Sequence, residues 1–462
     1  MPNMIGKAGR LFADLNPGKD LEKFTIDNDY HSKYPSMYFQ DRKCDVLPIP
    51  PPSINPPRIN LEEVLSDSFI NEIKNTRKIS FHVLGDSGCS DYEEYLDEQG
   101  IADMMVDDAQ RYPMLAFCFH LGDVVYHFGE SKYYYDQFYF PFRAYDRPIF
   151  AIPGNHDGMV YAENQKSLEA FRRNFCARNP NDPHDAESIS DANGQVRRLA
   201  RSAMTQPGVY FTLDAPMVSI IGLYSNVLEG PGVIAPNEII SSIGIEQYQF
   251  LQNELERLKP EHDAGERAVI LAVHHPPISL EIIHGDSSRM SSDIDRACSN
   301  ADFWPDAVLS GHAHMYQRFT RNMPRTRRAS APNNQASPIQ IPSIIAGSGG
   351  HAKSYPHESL LGPKPKEIAQ ADYENMILPI TEAGYLALTV DMTPPNKRLT
   401  IRFNRPHQKI MFRKKVRDEL DEKRALDQVT VDLATRQIVP PPPTFIASMF
   451  DFFRRGEKSN PI

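Results

Sequence analysis

Ile79-Ser80-Phe81-His82-Val83-Leu84 runs directly into Gly85-Asp86-Ser87-Gly88. A β-branched, apolar run cut off by glycine and a carboxylate is the pattern of a buried strand that ends in a turn. The format repeats along the chain. Residues 114–121 lead into Gly122-Asp123, residues 148–152 into Pro153-Gly154-Asn155, and residues 268–273 into His274. Polar residues able to bind a ligand therefore sit just past the C-terminal ends of successive strands, where open α/β sheets place their sites. The fold class that follows is α/β.

Between these strands the spacing turns helical, most clearly over residues 245–258, where Tyr248, Leu251, Leu255 and Leu258 recur at threes and fours. Residues 209–213 with 218–223, and 385–390 with 399–403, read as hairpins, so the sheets are expected to be mixed. Residues 1–76 form a proline-rich extension: Pro48-Ile49-Pro50-Pro51-Pro52 and Pro56-Pro57 favour polyproline II and have no place inside a sheet. The main domain is expected over 77–405, and 406–462 as a tail that is charged from Lys409 to Lys423 and then proline-rich. Two polar stretches, 179–203 and 321–337, read as surface insertions. The phenylalanine-rich end, 445–455, has two readings: docking on a protein or membrane surface, or packing against the protein's own body.

The 462 residues, 40% hydrophobic and 24% charged, describe an ordinary globular protein with ample core. No run of roughly 18 apolar residues is present to span a bilayer, and the first residues lack the apolar region of a signal peptide. Cys44, Cys89, Cys118, Cys176 and Cys298 are odd in number and widely spaced, the usage of reduced thiols, so a cytoplasmic location is expected. A net charge of -10 argues against a general nucleic-acid binder, which gains affinity by neutralising phosphates with Lys and Arg. It does not speak against phosphate chemistry, because bound cations can make a site locally positive.

The residues past the strands are those that hold a metal pair: hard oxygen donors and imidazoles, with one carboxylate able to bridge. In order they are Gly85-Asp86-Ser87-Gly88; Gly122-Asp123-Val124-Val125-Tyr126; Gly154-Asn155-His156-Asp157; His274-His275-Pro276; and Gly311-His312-Ala313-His314. Each alone has a plain reading as a turn, a helix cap or a core histidine. Together, in this order, they resemble the calcineurin-like metallophosphoesterase superfamily and, within it, the purple and tartrate-resistant acid phosphatases. That signature is Gly-Asp-x-Gly, Gly-Asp-x-x-Tyr, Gly-Asn-His-(Asp or Glu), Val-x-x-His and Gly-His-x-His. Leu271-Ala272-Val273-His274 meets the fourth element with leucine for valine. The resemblance covers about 78–403.

The resemblance implies a sandwich of two mixed β-sheets flanked by helices (αββα), with 77–405 as the catalytic domain. It implies one metal on Asp86, Tyr126 and His314, a second on Asn155, His274 and His312, and Asp123 bridging. A phenolate suits Fe(III), so the pair is expected to be Fe(III) with divalent Fe, Zn or Mn. His274 is chosen over His275 because the family leaves one residue between ligand and proline. His156, beside Asn155, is the candidate to protonate the leaving group, and His284 a second substrate contact. Asp157 either orients His156 or caps a helix, and Arg318 either binds phosphate or pairs with a carboxylate.

The expected activity is a phosphomonoesterase acting on a small phosphoester through metal-activated hydroxide, with no stable nucleic-acid partner. A divalent-metal phosphodiesterase or nucleotide pyrophosphatase is the alternative within the superfamily, and a non-catalytic metal-binding interaction protein the alternative outside it.

Overall fold

The computed structural model describes residues 48–159, 165–179, 185, 205–225, 232–237, 241–281, 283–324, 338–351, 372–375, 377, 379–406 and 425–440. The strands in the first half are β1 (Arg58–Asn60), β2 (Lys78–Leu84), β3 (Leu115–His120), β4 (Ile149–Ala151), β5 (Phe211–Ala215), β6 (Val218–Leu223) and β7 (Ala268–Val273). They are followed by β8 (Ala307–Ser310), β9 (Tyr316–Met323), β10 (Ile339–Ala346), β11 (Tyr373–Asn375), β12 (Tyr385–Asp391), β13 (Arg398–Asn404), β14 (Ala425–Asp432) and β15 (Gln437–Val439). They make two sheets, ordered β1-β5-β6-β7-β8-β10-β9-β11 and β15-β14-β13-β12-β2-β3-β4.

Each sheet has a parallel centre and antiparallel flanks. β2, β3 and β4 pair in parallel, as do β6, β7 and β8, whereas β12 runs antiparallel to β2 and β9 to β10. Central parallel strands are covered on both faces, which is why β3 and β7 are apolar almost throughout and buried at every position. Phe81, Phe117 and Phe150 of one sheet meet Ile220, Ile270, Leu309 and Ile344 of the other in a single core. Within it Phe81 and Phe117 stack at 4.7 Å.

Helices cover the outer faces, which completes the αββα sandwich. α1 (Asp67–Thr76) adds Phe69 and Ile73 to the core between the sheets. α2 (Tyr92–Arg111), α3 (Glu246–Asp263) and α4 (Ser288–Ala301) bury Ile101 and Met105, Leu251 and Leu255, and Ile294 and Ala297 in the outer core. Asp91 caps α2 by accepting from the backbone of Glu93 and Glu94, both at 2.9 Å.

The described body reaches beyond 77–405 on both sides. β1 adds to β5 in parallel, and α1 is packed, so 58–76, read from sequence as the end of a proline-rich extension, is part of the fold. At the other end β14 and β15 extend the second sheet: Leu426, Val429 and Val431 alternate onto the core, a strand signal overshadowed by the surrounding charge and proline. Helix α3 continues past Pro260, where the sequence suggested a stop, because its last turn is anchored. Lys259 donates to the Asp302 carbonyl at 3.0 Å, and His262 bonds to Asp306 at 3.0 Å.

Arg321, placed by sequence in an insertion, belongs to β9 and makes 2.6 Å ion pairs to Asp295 and Asp372. Most of the two expected insertions, the charged run 409–423 and the phenylalanine-rich end lie outside the described residues. Among the described residues no helix is long and apolar enough to cross a membrane, and none of the four cysteines forms a disulfide.

Candidate metal centre

The loops after β2, β3, β4, β7 and β8 converge at one end of the sandwich. Three of their residues hold a left-handed backbone: Asp86 (φ 58°), Asp123 (φ 55°) and His312 (φ 69°). Such conformations cost of order 1–3 kcal/mol for a non-glycine residue and collect at functional sites. The loops also touch backbone to side chain, since a Cβ on Gly154 would collide with Asp123 Oδ1.

Asp157 ties two loops together. Its Oδ2 accepts from Asp123 N at 2.8 Å and Gly154 N at 2.9 Å, and its Oδ1 from Val124 N at 3.1 Å. It therefore serves backbone amides, while His156 Nδ1 donates elsewhere, to the His127 carbonyl at 2.7 Å. Burial, with the nearby Asp123 charge, pushes the Asp157 carboxyl up to about 7 against those donors.

The side chains named from sequence meet in two groups that share one oxygen. Tyr126 OH lies 3.3 Å from Asp86 Oδ1, 3.0 Å from Asp123 Oδ2 and 3.3 Å from His314 Nε2. Asn155 Oδ1 lies 3.0 Å from His274 Nε2 and 3.0 Å from His312 Nδ1, and His274 Nε2 is 3.2 Å from that same Asp123 Oδ2. Asp123 Oδ1 is turned away, accepting from His156 N at 2.9 Å. Donor atoms about 3.0–3.4 Å apart are the edges of a coordination shell with bonds of about 2.1 Å.

This donor set fits cations. One phenol proton cannot serve both the Asp86 and Asp123 carboxylate oxygens beside Tyr126 OH, and a cation can. His274 donates from Nδ1 to the Leu121 carbonyl at 2.8 Å, so its Nε2 faces the oxygens of Asn155 and Asp123, the arrangement of a metal-binding imidazole. Asn155 Nδ2 and His312 Nε2 are buried without a hydrogen-bond partner.

The electrostatics agree. Burial, the Asp123 and Asp86 charges and the Asp123 contact push the Tyr126 phenol well up. Burial opposes a charge on His274, but Asp123 and Asp86 outweigh it and raise its pKa to about 9. Burial raises Asp86 to about 6. For Asp123 burial is overcome by His274 and His156, which hold the carboxyl well below its usual range. His312 and His314 are pushed well down by burial and by neighbouring histidines.

Further side chains ring this centre. His284 lies with its ring 4.8 Å from those of both His312 and His314, and Glu281 fixes it by accepting from its backbone N at 2.6 Å and its Nδ1 at 3.1 Å. His275 turns to Ser225 Oγ at 2.7 Å, leaving His274 as the histidine of that pair in the cluster. Arg318 is spent on a buried pair with Asp427, which also accepts from Tyr316 OH at 2.7 Å, so its carboxylate reading holds. His120 accepts from Gly122 N at 3.1 Å and bonds to Ser87 Oγ at 2.9 Å behind the Asp86 loop; burial lowers its pKa to about 3.

Sequence reasoning missed Glu281, His127 and His351. His351 stacks on Tyr126, and its signal was available: residues 339–346 run into Gly347-Ser348-Gly349-Gly350-His351, the same strand-to-glycine format as the other loops.

No curated protein matches the sequence. Among solved structures the chain is similar to purple acid phosphatase PPD1 from yellow lupin (Lupinus luteus) seeds, at 13% identity and a TM-score of 0.47, over 77% of this chain and 54% of that one. It thus spans about half the length of the lupin protein. It is also similar to GAP50, described as the anchor in the inner membrane complex of Plasmodium, at 13% identity and a TM-score of 0.43 over 72% and 87% of the two chains. A dimetal phosphatase from Danio rerio is 11% identical, with a TM-score of 0.38 over 71% and 96%. The calcineurin-like phosphoesterase family pattern matches residues 80–316, a span that contains every donor of the cluster, and the chain belongs to that family.

Proposed function

We propose that this chain is a phosphomonoesterase of the acid-phosphatase type, working with Fe(III) and a divalent ion (Fe, Zn or Mn). One cation would be held by Asp86, Tyr126 and His314, the other by Asn155, His274 and His312, with Asp123 Oδ2 between them. The observation that carries the reading is the position of Tyr126 OH, within 3.3 Å of Asp86, Asp123 and His314 donors. A phenolate in that place is a hard anionic donor, suited to Fe(III) beside a divalent ion. When bound there, metal ions would supply the positive charge that lowers the pKa of an attacking water and neutralises phosphoryl oxygens.

The protein's own groups do the rest. The His127 carbonyl holds the Nδ1–H of His156, which leaves Nε2 facing out, and it is the imidazolium form, protonated on Nε2, that would pass a proton to a leaving alkoxide and return to the neutral Nδ1–H tautomer. His284, whose Nδ1–H is taken by Glu281, would as the imidazolium offer its Nε2–H to a phosphoryl oxygen over His312 and His314.

The test is elemental analysis with a visible spectrum, on protein purified without chelators, together with kcat/KM for aryl phosphate mono- and diesters. Iron with a broad visible band that Tyr126→Phe removes, and faster monoester cleavage, is the expected result. Divalent metals with no band and faster diester cleavage would move the assignment to a phosphodiesterase. Absence of bound metal would sink it.

A further inference from the structure

Beyond the seven donors, one side chain touches a single half of the cluster. After β10 the chain runs Gly347-Ser348-Gly349-Gly350-His351 and lays its backbone on the loop that carries Asp86. Gly85 N donates to the Ala346 carbonyl at 3.0 Å, Gly349 N to the Gly85 carbonyl at 2.9 Å, and His351 N to the Asp86 carbonyl at 3.0 Å. This close approach requires the glycines: a Cβ on Gly349 would strike the Gly85 carbonyl oxygen, and one on Gly350 would meet Ser87 O at 3.0 Å and Glu98 Cβ at 2.8 Å.

The docked loop places the His351 imidazole flat on Tyr126, with centroids 3.5 Å apart and planes 12° apart. Its ring also meets His314 edge-on at 4.8 Å and 89°. Asp86, Tyr126 and His314, the three residues assigned to one cation, are thus each in contact with His351. Glu94 lies beside it, with Oε2 3.2 Å from Nδ1 as an ion-pair approach without hydrogen-bond alignment, and is itself held by Ser90 N at 2.5 Å and Ser90 Oγ at 2.7 Å. The opposite face of Tyr126 meets His156 at 4.4 Å, so the phenol ring is clamped between two imidazoles. His275 packs on the other half, 4.2 Å from His312, while His284 lies 4.8 Å from both His312 and His314.

We propose that His351, oriented by Glu94, is a positioning residue for the Asp86–Tyr126–His314 half of the centre, holding the Tyr126 oxygen where a cation can be shared with Asp86 and His314. The proposal rests on the metal-centre reading above. Outer partners of metal ligands are worth about 10- to 100-fold in metal affinity, which sets the size of the effect. The effect is confined to one of the two cations, which separates positioning from a general loss of packing.

The experiment titrates zinc(II) into the metal-free full chain, followed by calorimetry and by the near-ultraviolet difference absorption of a coordinated tyrosinate. Wild type is expected to bind zinc in both halves with a tyrosinate signal. His351→Ala should keep one zinc at wild-type affinity, weaken the other by about 10- to 100-fold and lose most of the signal. His351→Phe, which keeps a flat ring on Tyr126, should restore the signal, and Glu94→Gln should fall between.

His351→Ala with both affinities and the signal unchanged would overturn the proposal, as would equal weakening of both. If circular dichroism finds His351→Ala unfolded, Glu94→Gln decides, and wild-type binding by it counts against the idea. Wild type that binds no zinc refutes the metal reading itself, a result read before any variant is made.

Discussion

Loading the metal-free protein should expel protons, and the number can be worked out from the site. At pH 7.5 His274, held up to about 9, carries a proton on the nitrogen that faces Asn155 and Asp123, and the Tyr126 phenol is also protonated. Asp86, near 6, is already ionised, and His312 and His314, pushed down by burial, are already neutral. Filling both halves therefore displaces about two protons per chain. Cation and proton compete for the same atoms, so affinity rises with pH. The overall constant for the pair should climb about 100-fold per pH unit between 7 and 8, and about tenfold per unit once His274 has lost its proton. Zinc calorimetry in buffers of different ionisation enthalpy reads the count directly. Tyr126→Phe should reduce it to about one, because that side chain has no proton to give. No proton release, or a count unchanged by Tyr126→Phe, would refute the reasoning.

The same His274 shift predicts the acid–base behaviour of the metal-free fold. Its pKa rises from 6.5 unfolded to about 9 folded, so it contributes about 3 kcal/mol that is fully present below pH 6.5 and lost as pH rises through about 9. Urea midpoints from pH 6 to 10 should fall over that window, and a flat profile counts against it. Asp427→Ala should lower unfolding free energy by about 3–5 kcal/mol, since it leaves the buried Arg318 charge uncompensated; a loss below about 1 kcal/mol in urea titration contradicts this. His284→Ala should reduce kcat/KM for an aryl phosphate by about 10- to 100-fold, the worth of a hydrogen bond to a charged group. Its metal content, read by elemental analysis, should stay as in wild type, and a loss of metal would show that His284 supports the ligands instead.

What the sequence disclosed and what it hid divide along a physical line. β2, β3 and β7 are short apolar runs ended by Gly-Asp or His, and they could be read because burial on both faces leaves an uninterrupted signal. The donors were legible because each follows such a run within a few residues. Residues that act by distant packing were not. Asp427 sits in a polar segment, and its value lies in Arg318, 109 residues earlier. Asp157 serves the backbone of two loops rather than its neighbour's imidazole, a role that spacing does not encode. His351 comes to Tyr126 only because two glycines let one loop lie on another.

The pairing of β2 has a consequence for where this protein can be divided. On one side its neighbour is β3, and on the other it is β12, which pairs Thr389 with Ser80, 309 residues away, and lies well past residue 316, where the family match ends. β12 in turn is backed by β13 and β14. A fragment cut at the boundaries of the match would keep all seven donors, yet it would expose one long edge of the strand that carries Asp86. It would also leave the buried Tyr316 hydroxyl without the Asp427 carboxylate. Such a fragment is expected to aggregate through that open edge rather than assemble a centre. The catalytic unit, as a heritable and foldable object, is therefore larger than the stretch by which its family is recognised.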